Sequence, residues 1–72
     1  MKVHLVPSSE PLKPGKPTEA ACGKPIEEPE FVFTYEGDLR RIGDLSTLGN
    51  CTKCVRSKID GRYLYGVIDR KL

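Results

Sequence analysis

A chain of 72 residues with 38% hydrophobic side chains, two phenylalanines, three tyrosines and no tryptophan allows one small domain, and its core is too thin to stand without a further staple. Net charge is only +2, unevenly placed: Cys51 to Leu72 holds six basic against two acidic side chains, whereas the first fifty residues hold six against eight. No run approaches the roughly 20 apolar residues of a membrane span. Met1 to Val6 meets Pro7 too soon to be a secretory leader, so a reducing cytoplasm and no membrane partner are expected.

Met1 to Val6 alternates weakly, Val3 and Leu5 against Lys2, His4 and Val6, and predicts a short strand from which His4 projects. Pro7 to Pro17 contains four prolines and little to bury, which predicts an extended surface loop. That loop is read as a connector, with a proline-rich ligand for a partner domain as the alternative. Glu19 to Lys24 predicts a second short strand ending in a turn at Cys22-Gly23. A glycine after a metal ligand lets the chain bend tightly and aim amide hydrogens at a thiolate. Pairing of these two strands around the proline loop would bring His4 to Cys22. Glu27 to Glu30 reads as an acidic, solvated turn.

Glu30 to Glu36 is the clearest strand, with Phe31, Phe33 and Tyr35 expected on one face and supplying most of the core. A base-stacking platform is the less favoured reading of that face. From Gly37 to Gly49, Leu39, Ile42, Leu45 and Leu48 recur every three residues. They suit a turn or two of helix interrupted by Gly43, or a loop laid over the core. After Cys51-Thr52-Lys53-Cys54, a helix with Val55 and Ile59 on one face and Gly61 at its end competes with a hairpin turning at Asp60-Gly61. The helix is preferred, since the hairpin register sets Ile59 opposite Arg62 and wastes the apolar residues. Arg62 to Ile68 alternates as a last strand, followed by a charged tail from Asp69 to Leu72.

His4, Cys22, Cys51 and Cys54 are every cysteine and the only histidine of the chain. A disulfide framework would orphan one thiol, whereas one tetrahedral zinc uses all four groups. Seventeen residues separate His4 from Cys22 and twenty-eight separate Cys22 from Cys51, unlike a finger built from two compact pairs. The rivals are a redox dithiol at Cys51 and Cys54, a disulfide between them with Cys22 free, and an exposed His4 replaced as ligand by water or Asp44. Three ligating thiolates would give the centre a local charge of −1.

The order His4-Leu5, then Cys22-Gly23 after a proline-bearing loop, then Cys51 to Cys54 resembles a set of short, largely uncharacterised zinc-binding proteins of bacteria and their phages. The resemblance covers the ligand positions and little between them. It implies that the same four residues bind zinc and that a helix tends to follow the knuckle. Such proteins commonly carry threonine before the knuckle and proline inside it, where this chain has Asn50 and Thr52-Lys53.

The expected fold is therefore α+β: one zinc-stabilised domain over residues 1–72, treble-clef-like or zinc-ribbon-like, a short antiparallel sheet with one short helix after the Cys-x-x-Cys. No nucleophile triad or glycine-rich phosphate loop is present, and four strong ligands would close the metal shell, so no catalytic residue is expected. The function expected is a structural zinc module, monomeric, that binds a protein partner. The alternative is nucleic-acid binding by the basic final third, with Lys53, Arg56, Lys58 and Arg62 meeting phosphates and Tyr63 and Tyr65 stacking bases.

Overall fold

The last alternating run forms the strand on which the others hang. In the computed structural model, which describes residues 2–71, β1 (His4–Ser8), β2 (Thr18–Glu19), β3 (Pro25–Ile26) and β4 (Pro29–Glu36) precede a short helix α1 (Thr52–Arg56) and β5 (Tyr63–Asp69). Met1, which opens the expected first strand, and Leu72, which closes the expected tail, lie outside the described residues. β5 is the centre of a three-stranded antiparallel sheet of order β1-β5-β4. Leu64, Tyr65, Gly66 and Val67 are all buried in succession, because both faces of this central strand are covered. The alternation of Arg62 to Ile68 thus records direction and not exposure.

β4 does not present its aromatic residues on one face. Phe31 stands opposite Val67 but Phe33 stands opposite Gly66, so β4 spends an extra residue at Val32, which is 55% exposed. A slip of one residue moves everything after it to the other side of the sheet. Phe31 therefore shares the face of Tyr65, with ring centroids 4.8 Å apart, while Phe33 and Tyr35 join Gly66 and Leu64. All three are half-buried; the deepest side chains are Leu5, Ile26, Leu64, Val67 and Cys54. The expectation that the aromatic residues share a face and make most of the core is thus corrected: they flank an aliphatic centre.

β1 does not pair with the segment before Cys22. It pairs with β5, and β2 forms a separate two-stranded ribbon with β3 that encloses Cys22 in its turn. Within the turn Gly23 takes a φ of 92° and donates to the Ala20 carbonyl at 2.8 Å, while Ala20 donates to that of Lys24 at 2.9 Å. β1 also runs through Pro7 and Ser8, further than the alternation suggested, since an edge strand tolerates a residue without an N–H. Ser9 to Pro17 form no strand or helix, and the Leu12 N–H ties this stretch down by donating to the Tyr65 hydroxyl at 2.9 Å.

The ambiguous middle resolves into two 3₁₀ turns, Leu39–Arg41 and Leu45–Thr47, separated by Ile42 to Asp44. Each opens on an aspartate whose side chain accepts a backbone N–H two residues on, Asp38 from Arg40 and Asp44 from Ser46. The knuckle is followed by helix and not hairpin, but α1 is shorter than the Val55 and Ile59 spacing suggested. It begins inside the knuckle and ends at Arg56 with Ser57 as its C-cap, so Ile59 and Gly61 lie beyond it. Gly61 serves instead where the chain passes β1: at its φ of 138°, a Cβ would lie 2.5 Å from the Ser8 carbonyl oxygen.

Gly66 is the tightest position in the sheet. A Cβ there would meet the Phe33 ring at 2.0 Å, because the ring lies across the bare backbone of the central strand. Gly66→Ala should therefore displace Phe33 and destabilise the domain by about 1–3 kcal/mol. Thermal unfolding of the variant should show a lowered midpoint, and an unchanged one would mean that Phe33 has other room.

Candidate metal centre

The centre is assembled on the outer edge of β1. Backbone groups of alternate residues in a strand face the same edge, so the carbonyls of Val3 and Leu5, either side of His4, point away from β5. The Val3 carbonyl accepts from the N–H groups of Asn50 and Cys51, each at 3.1 Å, and the Leu5 carbonyl accepts from Ala21 at 2.8 Å. The knuckle and the Cys22 turn are thereby fastened to the residues flanking the histidine. These bonds cover an edge that would otherwise be open to pairing. The helix start places the last two ligands: Cys51 stands at the N-cap and Cys54 on the first turn of α1.

His4, Cys22, Cys51 and Cys54 converge, with one ligand atom from each lying within 4.8 Å of all the others. The imidazole presents Nδ1 to the sulfurs, at 3.7 Å from Cys22 Sγ and 3.6 Å from Cys54 Sγ. All three cysteines are free thiols. His4 is 7% exposed, Cys51 6% and Cys54 0%, while Cys22 is half-buried and forms the accessible side. The four residues can together hold a metal ion. Asp44 is not among them, because its carboxylate caps a 3₁₀ turn and accepts from Ser46.

The three thiols are not equivalent. Burial pushes the Cys54 thiol up to about 11, although the Leu5 and Cys22 N–H groups favour its thiolate. Burial also raises Cys51, but the Cys54 N–H, the neighbouring Cys54 and Cys22 thiols and the Lys53 N–H outweigh it and hold Cys51 below the usual thiol range. Those two N–H groups lie at the Cys51 sulfur without completing a capping bond. Without an ion, Cys51 therefore gives up its proton more readily than Cys54. His4 is held below the ordinary histidine value, first by burial and then by Lys24 and Lys2, which keeps the imidazole neutral and able to donate a lone pair.

The residues of the nucleic-acid alternative are in part already engaged or buried. Lys53, Arg56, Lys58 and Arg62 are exposed, but Lys58 pairs with Asp60 at 3.4 Å and Arg62 with Glu36 at 3.1 Å. Arg62 also lies over the half-buried Tyr63 ring, 5.9 Å from its centroid. Tyr65 is 4% exposed and packed on Phe31, so its ring is not free to stack on a base. Sequence reasoning missed the backbone carbonyls of Val3 and Leu5, which no side chain announces. It also missed Lys2 and Lys24, although each stands two residues from a ligand.

Fold and site together define a small α+β domain with a short antiparallel sheet, one short helix and a His/Cys cluster suited to a metal. No family model, curated protein or solved structure matches the chain. Among the described residues no helix is long and apolar enough to cross a membrane.

An ion that takes Cys54 as a thiolate must displace a proton held up to about pH 11. Apparent metal affinity should thus fall about tenfold per pH unit for each displaced proton as the solution is acidified, and faster once His4 protonates. Competition with a chelator at two pH values one unit apart measures it. An affinity independent of pH would show that Cys54 is not a ligand.

Proposed function

We propose that this chain is a structural zinc-binding module that acts as a small protein-interaction or accessory protein. The observation that carries the reading is the convergence of three sulfurs and one imidazole on a common point. Tetrahedral zinc, with bonds of about 2.3 Å to sulfur and 2.0–2.1 Å to nitrogen, spaces sulfur and nitrogen ligands about 3.6 Å apart. The distances of 3.6 and 3.7 Å from His4 Nδ1 to two of the sulfurs fit that spacing. Soft thiolates with one imidazole suit zinc better than a hard, oxygen-seeking cation.

Four protein ligands leave no open position for a substrate, which supports a structural and not a catalytic ion. Three unpaired thiols suit a reducing compartment such as the cytoplasm. The likeness to short zinc proteins of bacteria and phages stands on the same four positions. Protein interaction is preferred to nucleic-acid binding because Lys58 and Arg62 already have carboxylate partners and Tyr65 lies inside.

Native mass spectrometry of protein purified without added zinc should find one zinc ion per chain. Removing it with a chelator should unfold the domain, because binding of order 10 kcal/mol is comparable to the whole stability of a small fold. Cys22→Ser should act likewise, and His4→Ala somewhat less. Circular dichroism melting reads all three, and superimposable curves with and without chelator would overturn the proposal.

A further inference from the structure

The mouth of the metal centre opens into a cleft of about 700 Å³ bordered by Lys2, Lys24, Lys53 and Lys71. Its charge has a structural origin. Lys2 precedes His4 by two residues, Lys24 follows Cys22 by two, and Lys53 follows Cys51 by two, so each segment that delivers a ligand also delivers an ammonium group to the same opening. His4 pairs with Val67 in the sheet, and the period of two along the same chain leads from Val67 to Asp69 and Lys71, which complete the rim. Among the described residues Asp69 is the one carboxylate of the lining, and it is engaged by the backbone N–H groups of Lys71 and Glu28. Outside the cleft, Lys71 is paired with Glu27.

These lysines do more than offset a thiolate-bound ion. With zinc in place the centre carries one net negative charge and Asp69 another, and Lys71 is matched by Glu27, so Lys2, Lys24 and Lys53 stand against those two charges. The cleft keeps a positive surplus, in a concavity large enough for several side chains of a partner. Apart from the His4 imidazole it has no aromatic lining on which a base could stack, and a cleft that follows single-stranded nucleic acid combines its basic groups with such rings. Lysine ammonium groups without arginine forks also suit carboxylates approaching at varied angles.

We infer that this lysine-bordered cleft is the docking site for an acidic peptide segment of a protein partner, held by Lys2, Lys24 and Lys53. The inference rests on the interaction-module reading above and names the chemistry of its partner. Complementary charge would steer the segment in and make its binding sensitive to salt.

The test uses the zinc-loaded full chain and a fluorescent oligoglutamate peptide, followed by anisotropy. The double variant Lys24→Glu with Lys53→Glu should weaken binding about tenfold or more near physiological salt. Lys13→Glu with Lys16→Glu, in the proline loop and away from the cleft, should leave it within about twofold. All four positions are exposed, and melting of each variant verifies the fold. The neutral pair Lys24→Gln with Lys53→Gln should also weaken binding, by less than the reversal does.

Equal binding by the wild type and the cleft variants overturns the inference, as does an equal loss in the proline-loop variant or no binding by the folded, zinc-loaded protein. Tighter binding of a single-stranded oligonucleotide of matched charge, lost in the cleft variants, overturns it in favour of nucleic acid. Failure of the zinc reading is separately visible. A chain that melts alike with and without chelator defeats that reading, while the peptide assay on the folded chain still reports on the cleft.

Discussion

The carbonyls of Val3, just ahead of β1, and Leu5 face the same way because they are two residues apart along an extended chain, and the protein uses both. One holds the knuckle through Asn50 and Cys51, the other holds the Cys22 turn through Ala21, and His4 stands between them. The Leu5 N–H, on that same edge, supports the Cys54 sulfur. A single short strand thus joins the sheet on one side and gathers the metal ligands on the other. Neither half is large. The sheet buries a few aliphatic side chains, and the ligand-bearing segments are turns with little core of their own. Each needs the other, and the strand between them transmits the dependence.

The electrostatics of the centre follow from that arrangement. Burial disfavours the charged forms of Cys54 and His4, so Cys54 holds its proton tightly and His4 sheds its own readily. Such a group is poorly satisfied when empty of charge compensation and well satisfied around a cation. The lysines at the mouth soften the negative charge of thiolates from outside without entering the coordination shell. Their number exceeds what this task requires, which is why the same rim can serve an acidic partner.

The sheet shows how a local pattern can be right in type and wrong in consequence. Phe31, Phe33 and Tyr35 do form a strand, and their alternation is visible in the sequence. Pairing with β5 then inserts Val32 as a bulge, sending the later aromatic residues to the opposite face. The reason lies in Gly66: its missing side chain leaves a gap that the Phe33 ring fills, and the register of β4 is set to bring it there. Alternation in one strand carries no information about where its neighbour has a gap.

What the sequence by itself determined is the chemistry: the His4, Cys22, Cys51 and Cys54 donor set, the glycine after Cys22, the strand character of residues near 4, 31–35 and 63–68, and the helical choice after the knuckle. These are properties of residue type and short-range spacing, and the chain must honour them whatever its neighbours do. Only the tertiary structure decided which strands pair, since the expected partner of β1 was the Cys22 segment and the true one is β5, with His4 opposite Val67, 63 positions along the chain. It also decided that Tyr65 is interior, that α1 stops before Ile59, and that Lys53 belongs with Lys2, Lys24 and Lys71 rather than with Arg56, Lys58 and Arg62. The physical reason is common to all of these. Hydrogen bonds along a strand edge and the filling of a gap by a ring depend on groups far apart in the chain, and no local period encodes their meeting.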